Sequence, residues 1–454
     1  MIHGITTPNK APRLASEPEA RSASSPRELY CRRERRSTDQ AHNQSVLLLG
    51  DALHQAHNSG AMNASTLSSP LSPLEAARQL APLVREYADQ TDAARELPKP
   101  VFHALADAGL YLMAVPRAVG GLEIDFPTYV QVLEELGKAD ASTAWTVSQG
   151  ANWATYSARM ARDAAREIWI DTPRSVVSNS PGATAKAVVV PGGFRVTGRQ
   201  PFSTGCKHAS WVAAHAQVIE NGEVRQWNGK PEVRYCLVPI AQAELLDTWH
   251  TRGMRGTGTH TFEVKDVFVP EARTVFPYGA PVISHGPRYK IPLTLGFAAG
   301  DGMVALGLAR SCLDTFFEVA GSKAPRNMQG LLRDQAITQF TVGQAEAALR
   351  SGREYLLAAA RDIWNEATST EAPTLSLDQR MNLRLAATHA IRLAAQIVES
   401  VYTACGATVV FDGHLIQRHF LDMHVITQHS QGRLAHYELV GKHTLGLQID
   451  ESRL

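Results

Sequence analysis

The stretch "AKAVVVPGGFRVTGRQPFSTG", residues 185–205, marks the place where the sequence pattern of this chain changes. Apolar and polar residues alternate around a Pro-Gly-Gly turn, which predicts two strands joined as a hairpin. Before and after this region, apolar residues recur at steps of three and four, which indicates helices. A strand-rich segment therefore lies between two helical segments.

The strand-rich segment runs from about Ser175 to Phe276. "SWVAAHAQVI", "VRYCLVPI" and "GTHTFEVKDVFVP" read as further strands, the last with a bulge or turn at Lys265-Asp266. Several strands at close spacing without intervening helices favour an antiparallel barrel or sandwich.

The helical segment before the strands runs from Pro73 to about Ile170. Gly109 is expected to end one helix before a short extended piece, and Pro127 to lie near the start of the next. The apolar stretch "STAWTVSQGANWATY" predicts a buried helix with Ser142 as its N-cap.

The helical segment after the strands runs from about Leu293 to Leu447 and contains two patterns of about 30 residues, roughly 45 Å each as helices. Helices of this length with short links pack as an antiparallel bundle. Their broad, alanine-rich faces indicate burial on more than one side, so we expect contact between subunits. Overall the sequence predicts an α+β protein with a helical domain at 71–174, an antiparallel β domain at 175–280 and a four-helix bundle at 281–454.

Residues 1–70 are rich in Ser, Pro, Ala and Arg and show no sustained apolar period, so they are expected to form a disordered tail. The basic run "CRRERR" could act as a targeting arm, but acidic residues interrupt it and no apolar segment follows. Met62 precedes the first patterned sequence and is an alternative start.

Composition excludes several classes of protein. The 454 residues are 44% hydrophobic and 20% charged, with a formal net charge of +1. A net charge this close to zero provides no overall electrostatic attraction for nucleic acid or an anionic membrane. No apolar run approaches the roughly 18 residues of a membrane helix. Five scattered cysteines without a CxxC pair argue against a disulfide framework or structural zinc and favour a reducing cytoplasm.

Three motifs accompany the order of helices, strands and helical bundle. They are "GRQPFSTGCKHASWV" at 198–212, "GMRGTGTHTFEVKDVFVPE" at 253–271 and "QRHFLDMHVITQH" at 417–429. In this order and spacing they resemble the acyl-CoA dehydrogenase superfamily over roughly residues 75–454. The resemblance implies the fold predicted above, a flavin cofactor and a homotetramer.

Two departures from the dehydrogenases indicate a branch of this superfamily. No acidic residue lies between Met423 and Tyr437, where a glutamate base is common, and "YTACGATVV" has only Gly406 of the glycine pair that accepts the adenine half of FAD. Both features resemble the flavin-dependent monooxygenases, which hydroxylate aromatic or other electron-rich compounds through a C4a-hydroperoxide. The resemblance then implies reduced FMN, alternatively FAD, supplied by a separate flavin reductase, and O2 as co-substrate.

The sequence leaves two alternative functions. An acyl-CoA dehydrogenase or flavin oxidase would need a carboxylate base elsewhere in the chain and tightly bound FAD. A non-catalytic relative that binds nucleic acid is disfavoured by the net charge of +1.

The resemblance assigns candidate residues beside the flavin. Ser203 matches a hydroxyl that contacts the flavin N5, with Phe202 and Thr204 in the same loop; its alternative role is a turn hydroxyl bonded to its own backbone. Arg255, next to Gly256, matches a position where a guanidinium would stabilise the negative charge of reduced flavin, although glycine-rich loops also occur as plain turns.

His429 matches a histidine that stands twenty-odd residues from the C-terminus in the monooxygenase branch. An imidazole with an ordinary pKa near 6.5 can accept the proton of a phenol at neutral pH. His424 lies five residues before His429, roughly 140° away around a helix, so a shared metal is not expected. The alternative for His429 is an ordinary polar or solvent-facing histidine.

Two further groups of residues are candidates. Trp145, Ser148 and Asn152 share one face of the predicted buried helix and could contact substrate, or their polar groups could bond internally. Some monooxygenases of this branch hold a histidine near the position of Asn152. Arg326 lies in a loop before a long helix and could bind the phosphate of FMN, or lie solvated.

Overall fold

The computed structural model describes residues 71–278, 282–369 and 375–451. The predicted tail at 1–70 and the alternative start at Met62 lie outside the described residues. Among the helices of the described residues, none combines the length and apolar character that crossing a bilayer requires.

Helices precede and follow the strands, as predicted. The described α-helices are α1 Pro73–Glu86, α2 Ala88–Ala94, α3 Lys99–Asp107, α4 Phe126–Ala139, α5 Ala141–Trp153, α6 Arg162–Trp169, α7 Leu293–Ser322, α8 Ala336–Ser369, α9 Leu377–Cys405, α10 Leu415–Gln428 and α11 Ala435–Thr444. The expectation of two helices of about 30 residues in the last segment is confirmed by α8 with 34 residues and α9 with 29.

The N-cap of one helix is not the residue that the sequence predicted. The buried helix α5 is present, but Asp140 rather than Ser142 is its N-cap, because the Asp140 carboxylate accepts from the backbone N–H of Thr143 at 2.7 Å. Ser142 lies inside the first turn. Gly109 follows α3 with a φ of +73°, as a helix end requires, but turns rather than an extended piece come after it. Pro127 lies in the first turn of α4, as predicted.

Strands occupy the middle of the chain. They are β1 Val177–Asn179, β2 Ala185–Val190, β3 Gly193–Ser203, β4 Trp211–Glu220, β5 Glu223–Val224, β6 Gln226–Trp227, β7 Lys230–Pro231, β8 Val233–Pro239, β9 Glu244–Leu246, β10 His260–Pro270 and β11 Thr274–Val275. The predicted hairpin is confirmed, with Val190 opposite Gly193 across the turn between β2 and β3.

The main sheet has the strand order β11-β8-β4-β2-β3-β10-β9. Most neighbours are antiparallel, but β4 pairs in parallel with both β1 and β2, so the sheet is mixed rather than purely antiparallel. The predicted irregularity in β10 is confirmed, because the register against β3 shifts between Val264 and Val267 and Asp266 has a φ of +52°.

The helices before and after the sheet share one hydrophobic core. Helices α4 and α7 approach closely at two glycines: a Cβ on Gly137 would lie 2.9 Å from the carbonyl oxygen of Val304, and one on Gly307 would lie 2.6 Å from that of Glu134. This contact holds α7, which is buried along most of its length, against the N-terminal helices. Side chains from α5, α7 and the end of α10 thereby reach one place beside the sheet.

Candidate active site

A cavity of about 990 Å³ lies where α5, α7 and the end of α10 meet strand ends and loops of the sheet. Its polar lining includes Gln149, Thr204 and His429. Much of the wall is aromatic and comes from residues far apart in sequence: Trp145, Trp153, Tyr156, Phe202, Tyr235, Trp249, Tyr278, Tyr289 and Phe297. A large, mostly apolar cavity with a few convergent polar groups is the usual form of a small-molecule site.

His429 lies directly after α10 and lines this cavity. Its Nδ1 lies 3.0 Å from Oδ2 of Asp301, which is fully buried in the middle of α7. The side chain of His429 is 36% exposed, whereas that of Asp301 is 0% exposed. A histidine that faces a cavity and is backed by a buried carboxylate is oriented for proton transfer. The two atoms are close but do not meet hydrogen-bond geometry; the negative charge beside Nδ1 still favours a hydrogen on that nitrogen, which leaves Nε2 as the acceptor.

Asp301 is held by two side chains of α5 as well as by His429. Nε2 of Gln149 donates to its Oδ1 at 3.2 Å, and Oγ of Ser148 lies 3.5 Å from the same oxygen. Burial raises the pKa of the Asp301 carboxyl above its usual range, and the contact with His429 opposes this rise. A Cβ on the neighbouring Gly300 would lie 2.6 Å from Oγ of Ser148, so a glycine at this position lets α5 come close to α7.

Trp145 packs against the histidine from α5. The two ring centroids are 5.0 Å apart and the planes are nearly perpendicular, at 86°. Together with Asp301, this contact restricts the orientation of the His429 ring. Trp145 lines the cavity, and its contact with substrate stays a prediction.

Three threonine hydroxyls form a chain along the wall that the sheet provides. Oγ1 of Thr204 lies 3.1 Å from that of Thr259, and Oγ1 of Thr259 lies 2.7 Å from that of Thr257. Oγ1 of Thr257 in turn donates to the carbonyl oxygen of Met254 at 2.8 Å. All three threonines line the cavity. Hydroxyls linked in this way can donate to or accept from the edge of a bound ring.

Phe202 has an unusual backbone beside these threonines. Its φ is +59°, a region that bulky residues rarely adopt, and the residue is 61% exposed. Its ring lies 6.4 Å from that of Trp249 in an edge-to-face arrangement, and both line the cavity. A strained backbone that presents a large apolar side chain at a cavity is a reason to expect a ligand there. The contact of Phe202 with flavin stays a prediction.

Three candidate side chains lie behind the cavity wall. Ser203 is fully buried and its Oγ donates to the carbonyl oxygen of Gln200 at 3.2 Å. This is the contact expected of a turn hydroxyl, which is the alternative role for this residue. Asn152 is also fully buried: its Nδ2 donates to the carbonyl oxygen of Leu293, and its Oδ1 accepts from Arg288. Ser148 reaches Asp301 as described. Their direct contacts with flavin or substrate stay predictions; in this loop Thr204 lines the cavity and Ser203 does not.

The candidate residues around the glycine-rich loop face a helix instead of the cavity. Nε of Arg255 lies 3.3 Å from Oδ2 of Asp92 on α2, and its Nη1 donates to the carbonyl oxygen of Thr251. A Cβ on Gly256 would lie 2.3 Å from Cγ2 of Thr91, so this glycine permits close packing with α2. Arg326 is exposed in the loop after α7 and does not line the cavity. Roles for these three in binding flavin stay predictions without support from the cavity lining.

Sequence reasoning missed Asp301, Thr257 and Thr259. A signal for Asp301 was present, because it is the only charged residue among the first 17 residues of α7, in "LTLGFAAGDGMVALGLA". An isolated acid in an otherwise apolar helix is costly to bury unless it has a partner. The two threonines lie in a quoted motif, but only the fold shows that their hydroxyls line the cavity.

The residues that line the cavity fit a flavin. The volume is at the upper end of the roughly 300–1,000 Å³ typical of ligand sites. Phe202 and Trp249 offer apolar surfaces for a planar ring, and the threonine chain offers hydroxyls for its polar edge. A dehydrogenase would need a carboxylate facing the ring, whereas Asp301 is enclosed behind His429 and is not part of the lining.

Comparison with known proteins gives the class to which this arrangement belongs. Residues 75–172 match the acyl-CoA dehydrogenase N-terminal domain, and residues 299–433 match an acyl-CoA dehydrogenase C-terminal domain. The fold and the site therefore define a flavoprotein of the acyl-CoA dehydrogenase type.

The relatives identify the branch. Indole-3-acetate monooxygenase of Pseudomonas putida is 30% identical over 341 residues, which cover 75% of this chain and 85% of that protein. The oxygenase component of an FADH2-dependent resorcinol hydroxylase from Rhizobium sp. is 26% identical, with 81% of this chain and 93% of that protein covered. The crystal structure of the HsaA monooxygenase from M. tuberculosis superposes with a TM-score of 0.76 at 25% identity, covering 85% of this chain and 100% of that one. The chain belongs to the flavin-dependent monooxygenases of the acyl-CoA dehydrogenase superfamily.

Proposed function

We propose that this monooxygenase hydroxylates an aromatic or similarly electron-rich small molecule, with the His429–Asp301 pair as its general base. The main support is the 3.0 Å contact between the imidazole of His429, which faces the cavity, and the fully buried carboxylate of Asp301. The aromatic wall of the cavity supports a flat, apolar substrate, and the relatives named for indole-3-acetate and resorcinol support the same class.

The chain's own residues would act on protons and on solvent. Nε2 of His429 would accept a proton from a phenol or a ring N–H, which makes the ring more electron-rich, and Asp301 would stabilise the imidazolium that forms. Trp145 and the surrounding aromatic side chains would exclude water from the reacting ring. Phe202, Thr204, Thr257 and Thr259 would hold the flavin. When bound in its reduced form, the flavin supplies the activation of O2.

The enzyme needs a source of reduced flavin, and its exposed apolar surface bears on its oligomeric state. We infer that reduced FMN, alternatively FADH2, comes from a separate flavin reductase, since one relative is named as an oxygenase component. We also infer a cytoplasmic homotetramer; exposed apolar side chains on α8, including Ile337 and Phe340, support contacts between copies.

The test is oxygen incorporation. The purified chain would be mixed anaerobically with chemically reduced FMN and a panel of phenols and indoles, and then with ¹⁸O2. We expect one product that is heavier than its substrate by a single ¹⁸O atom, detected by mass spectrometry. Flavin oxidation that releases only hydrogen peroxide with every compound in the panel would argue against the proposal.

A further inference from the structure

The active-site cavity continues into a second, smaller pocket of about 340 Å³. The two share lining residues at their junction: Thr294, Ser430, Gln431 and Arg433. The smaller pocket adds Arg384, Ala435 and His436. A ligand that occupies the cavity beside His429 can therefore extend a substituent into this second space, which we call the basic pocket.

The charge of the basic pocket has one sign. Among the residues that the structure describes, its lining contains two guanidinium groups, from Arg384 and Arg433, and the imidazole of His436, but no Asp or Glu. Ser430 and Gln431 add a hydroxyl and an amide that can donate hydrogen bonds. Guanidinium groups match the planar geometry of carboxylates, so this lining favours an anionic oxygen group.

Arg384 is the unusual member of this lining. It is 1% exposed, and its Nη1 donates to the amide oxygen of Gln431, a neutral partner. Its Nε has no hydrogen-bond partner among the described residues. Asp301 provides an opposite charge that acts on it, but that carboxylate already lies against His429 and accepts from Gln149 and Ser148. A buried guanidinium that is incompletely paired destabilises the folded chain, and a bound anion would offset part of that cost.

His429 and Arg433 lie on either side of the 3₁₀ turn Ser430–Gly432, and both line the main cavity. Arg433 also lines the basic pocket, together with Arg384. A short acidic substituent on an aromatic ring beside His429 would therefore be directed toward these two guanidinium groups.

We propose that the basic pocket binds the anionic group of the substrate, so that the enzyme prefers an aromatic compound carrying a carboxylate. This inference rests on the proposed function, because it assigns the substrate of that same cavity. The phosphate of FMN shares the same chemistry as a ligand. The substrate is favoured because the pocket adjoins His429, while the threonine chain and Phe202 lie on the sheet side of the cavity.

The test compares two probes that differ only in charge, indole-3-acetate and indole-3-acetamide. Titration calorimetry on the purified full chain is expected to show at least tenfold tighter binding of the acid. Arg433→Gln should reduce the ratio of acid to amide affinity by at least fivefold. Arg384→Met should do the same if it folds, which circular dichroism checks. Arg350→Gln removes an exposed arginine of α8 that pairs with Glu346, and this control should leave the ratio unchanged.

The results that would contradict a carboxylate-binding basic pocket differ from those that would contradict the proposed hydroxylation. Equal binding of the two probes to the unmodified chain, or a ratio that Arg433→Gln leaves unchanged, overturns the inference. A parallel titration with FMN and riboflavin covers the other source: if Arg433→Gln weakens only FMN, the pocket holds the flavin phosphate and the substrate assignment is overturned. Incorporation of ¹⁸O without a preference for acids would leave the proposed function intact and reject this inference alone.

Discussion

At the scale of single residues, the chemistry depends on which groups His429 meets. Its position just after α10 places the imidazole at the cavity, but its orientation comes from Asp301 on α7 and Trp145 on α5. Three elements distant in sequence thus position one imidazole, the proposed proton acceptor. The sequence predicted the histidine and the tryptophan, whereas the carboxylate behind the imidazole became visible only in the fold.

Replacement of His429 by Asn should abolish the base and keep the size of the side chain. Because general-base help is typically worth about 10²–10⁴-fold, kcat should fall by roughly that factor while the affinity for reduced flavin changes little. Steady-state turnover and a flavin titration measure the two effects. His424→Asn is the control, since His424 is exposed on the same helix beside Glu399. Equal losses in turnover and flavin affinity would contradict the role of His429 as base.

Asp301→Asn tests the carboxylate separately from the imidazole. An amide cannot stabilise the imidazolium by its charge, so kcat should fall by roughly tenfold or more, without a matching loss of flavin affinity. Asp314→Asn, on the exposed side of α7, is the matched control and should keep full turnover. An Asp301→Asn enzyme with unchanged kcat would remove the carboxylate from the mechanism.

At the scale of elements, α10 holds the glycine-rich loop that carries part of the threonine chain. The backbone N–H of Met254 donates to Oδ1 of Asp422 at 2.5 Å, and a Cβ on Gly253 would lie 2.2 Å from the carbonyl oxygen of Leu421. Asp422 is almost fully buried, and burial raises the pKa of its carboxyl to about 7. The loop and the helix therefore depend on each other for their positions.

The buried carboxyl of Asp422 should make stability depend on pH. Between its unfolded pKa of about 3.9 and its folded pKa of about 7, the folded state keeps a proton that the unfolded chain has lost. The free energy of unfolding should therefore decrease as pH rises through this window, by a few kcal/mol in total, on the order of 1.4 kcal/mol per pH unit.

Asp422→Asn should remove this dependence, since an amide oxygen can still accept from Met254 and carries no proton to lose. Urea unfolding at pH 5, 6, 7 and 8 measures it: the stability of the variant relative to the unmodified chain should rise toward pH 8. Parallel curves for the two proteins across the four pH values would show that the carboxyl does not titrate in this window.

Gly253→Ala tests the close contact between the loop and α10. The added methyl group would overlap the backbone of Leu421, so the free energy of unfolding should fall by about 1–3 kcal/mol. The matched control is Gly343→Ala within α8, where nothing lies within 4 Å of an added Cβ, and which should stabilise by up to about 1 kcal/mol. Thermal and urea unfolding compare the two, and a neutral Gly253→Ala would mean that the loop can move away from the helix without cost.

At the scale of the whole molecule, exposed apolar side chains on α8 lead to a prediction about assembly. Ile337 and Phe340, three residues apart on one helical face, are 67% and 60% exposed in the single chain. We expect Phe340→Ser to shift a tetramer toward smaller species, as measured by sedimentation velocity, while the helix content stays unchanged. If the unmodified protein sediments as a monomer, the expectation of a tetramer is contradicted.

The sequence alone determined the order of the architecture and part of the site. Apolar periods of 3.6 and 2 identify helices and strands because they report which face of an element is buried, and they placed the β2–β3 hairpin, the irregularity at Asp266 and the long helices α8 and α9. Motif resemblance pointed to the flavin-dependent monooxygenases and to His429. The domain boundaries drawn from these patterns stay predictions.

Only the tertiary structure decided which side chains face the cavity. Whether Ser203 or Thr204 lines it depends on the direction of a side chain at the end of β3, and the parallel pairing of β4 with β1 and β2 depends on contacts between distant segments. The contact of His429 with Asp301 and the pocket that Arg384 lines together with Arg433 bring together segments that no local pattern connects. The local sequence pattern shows which residues of one helix or strand are buried. A binding site forms where residues from several such elements come together, and that depends on how the whole chain folds.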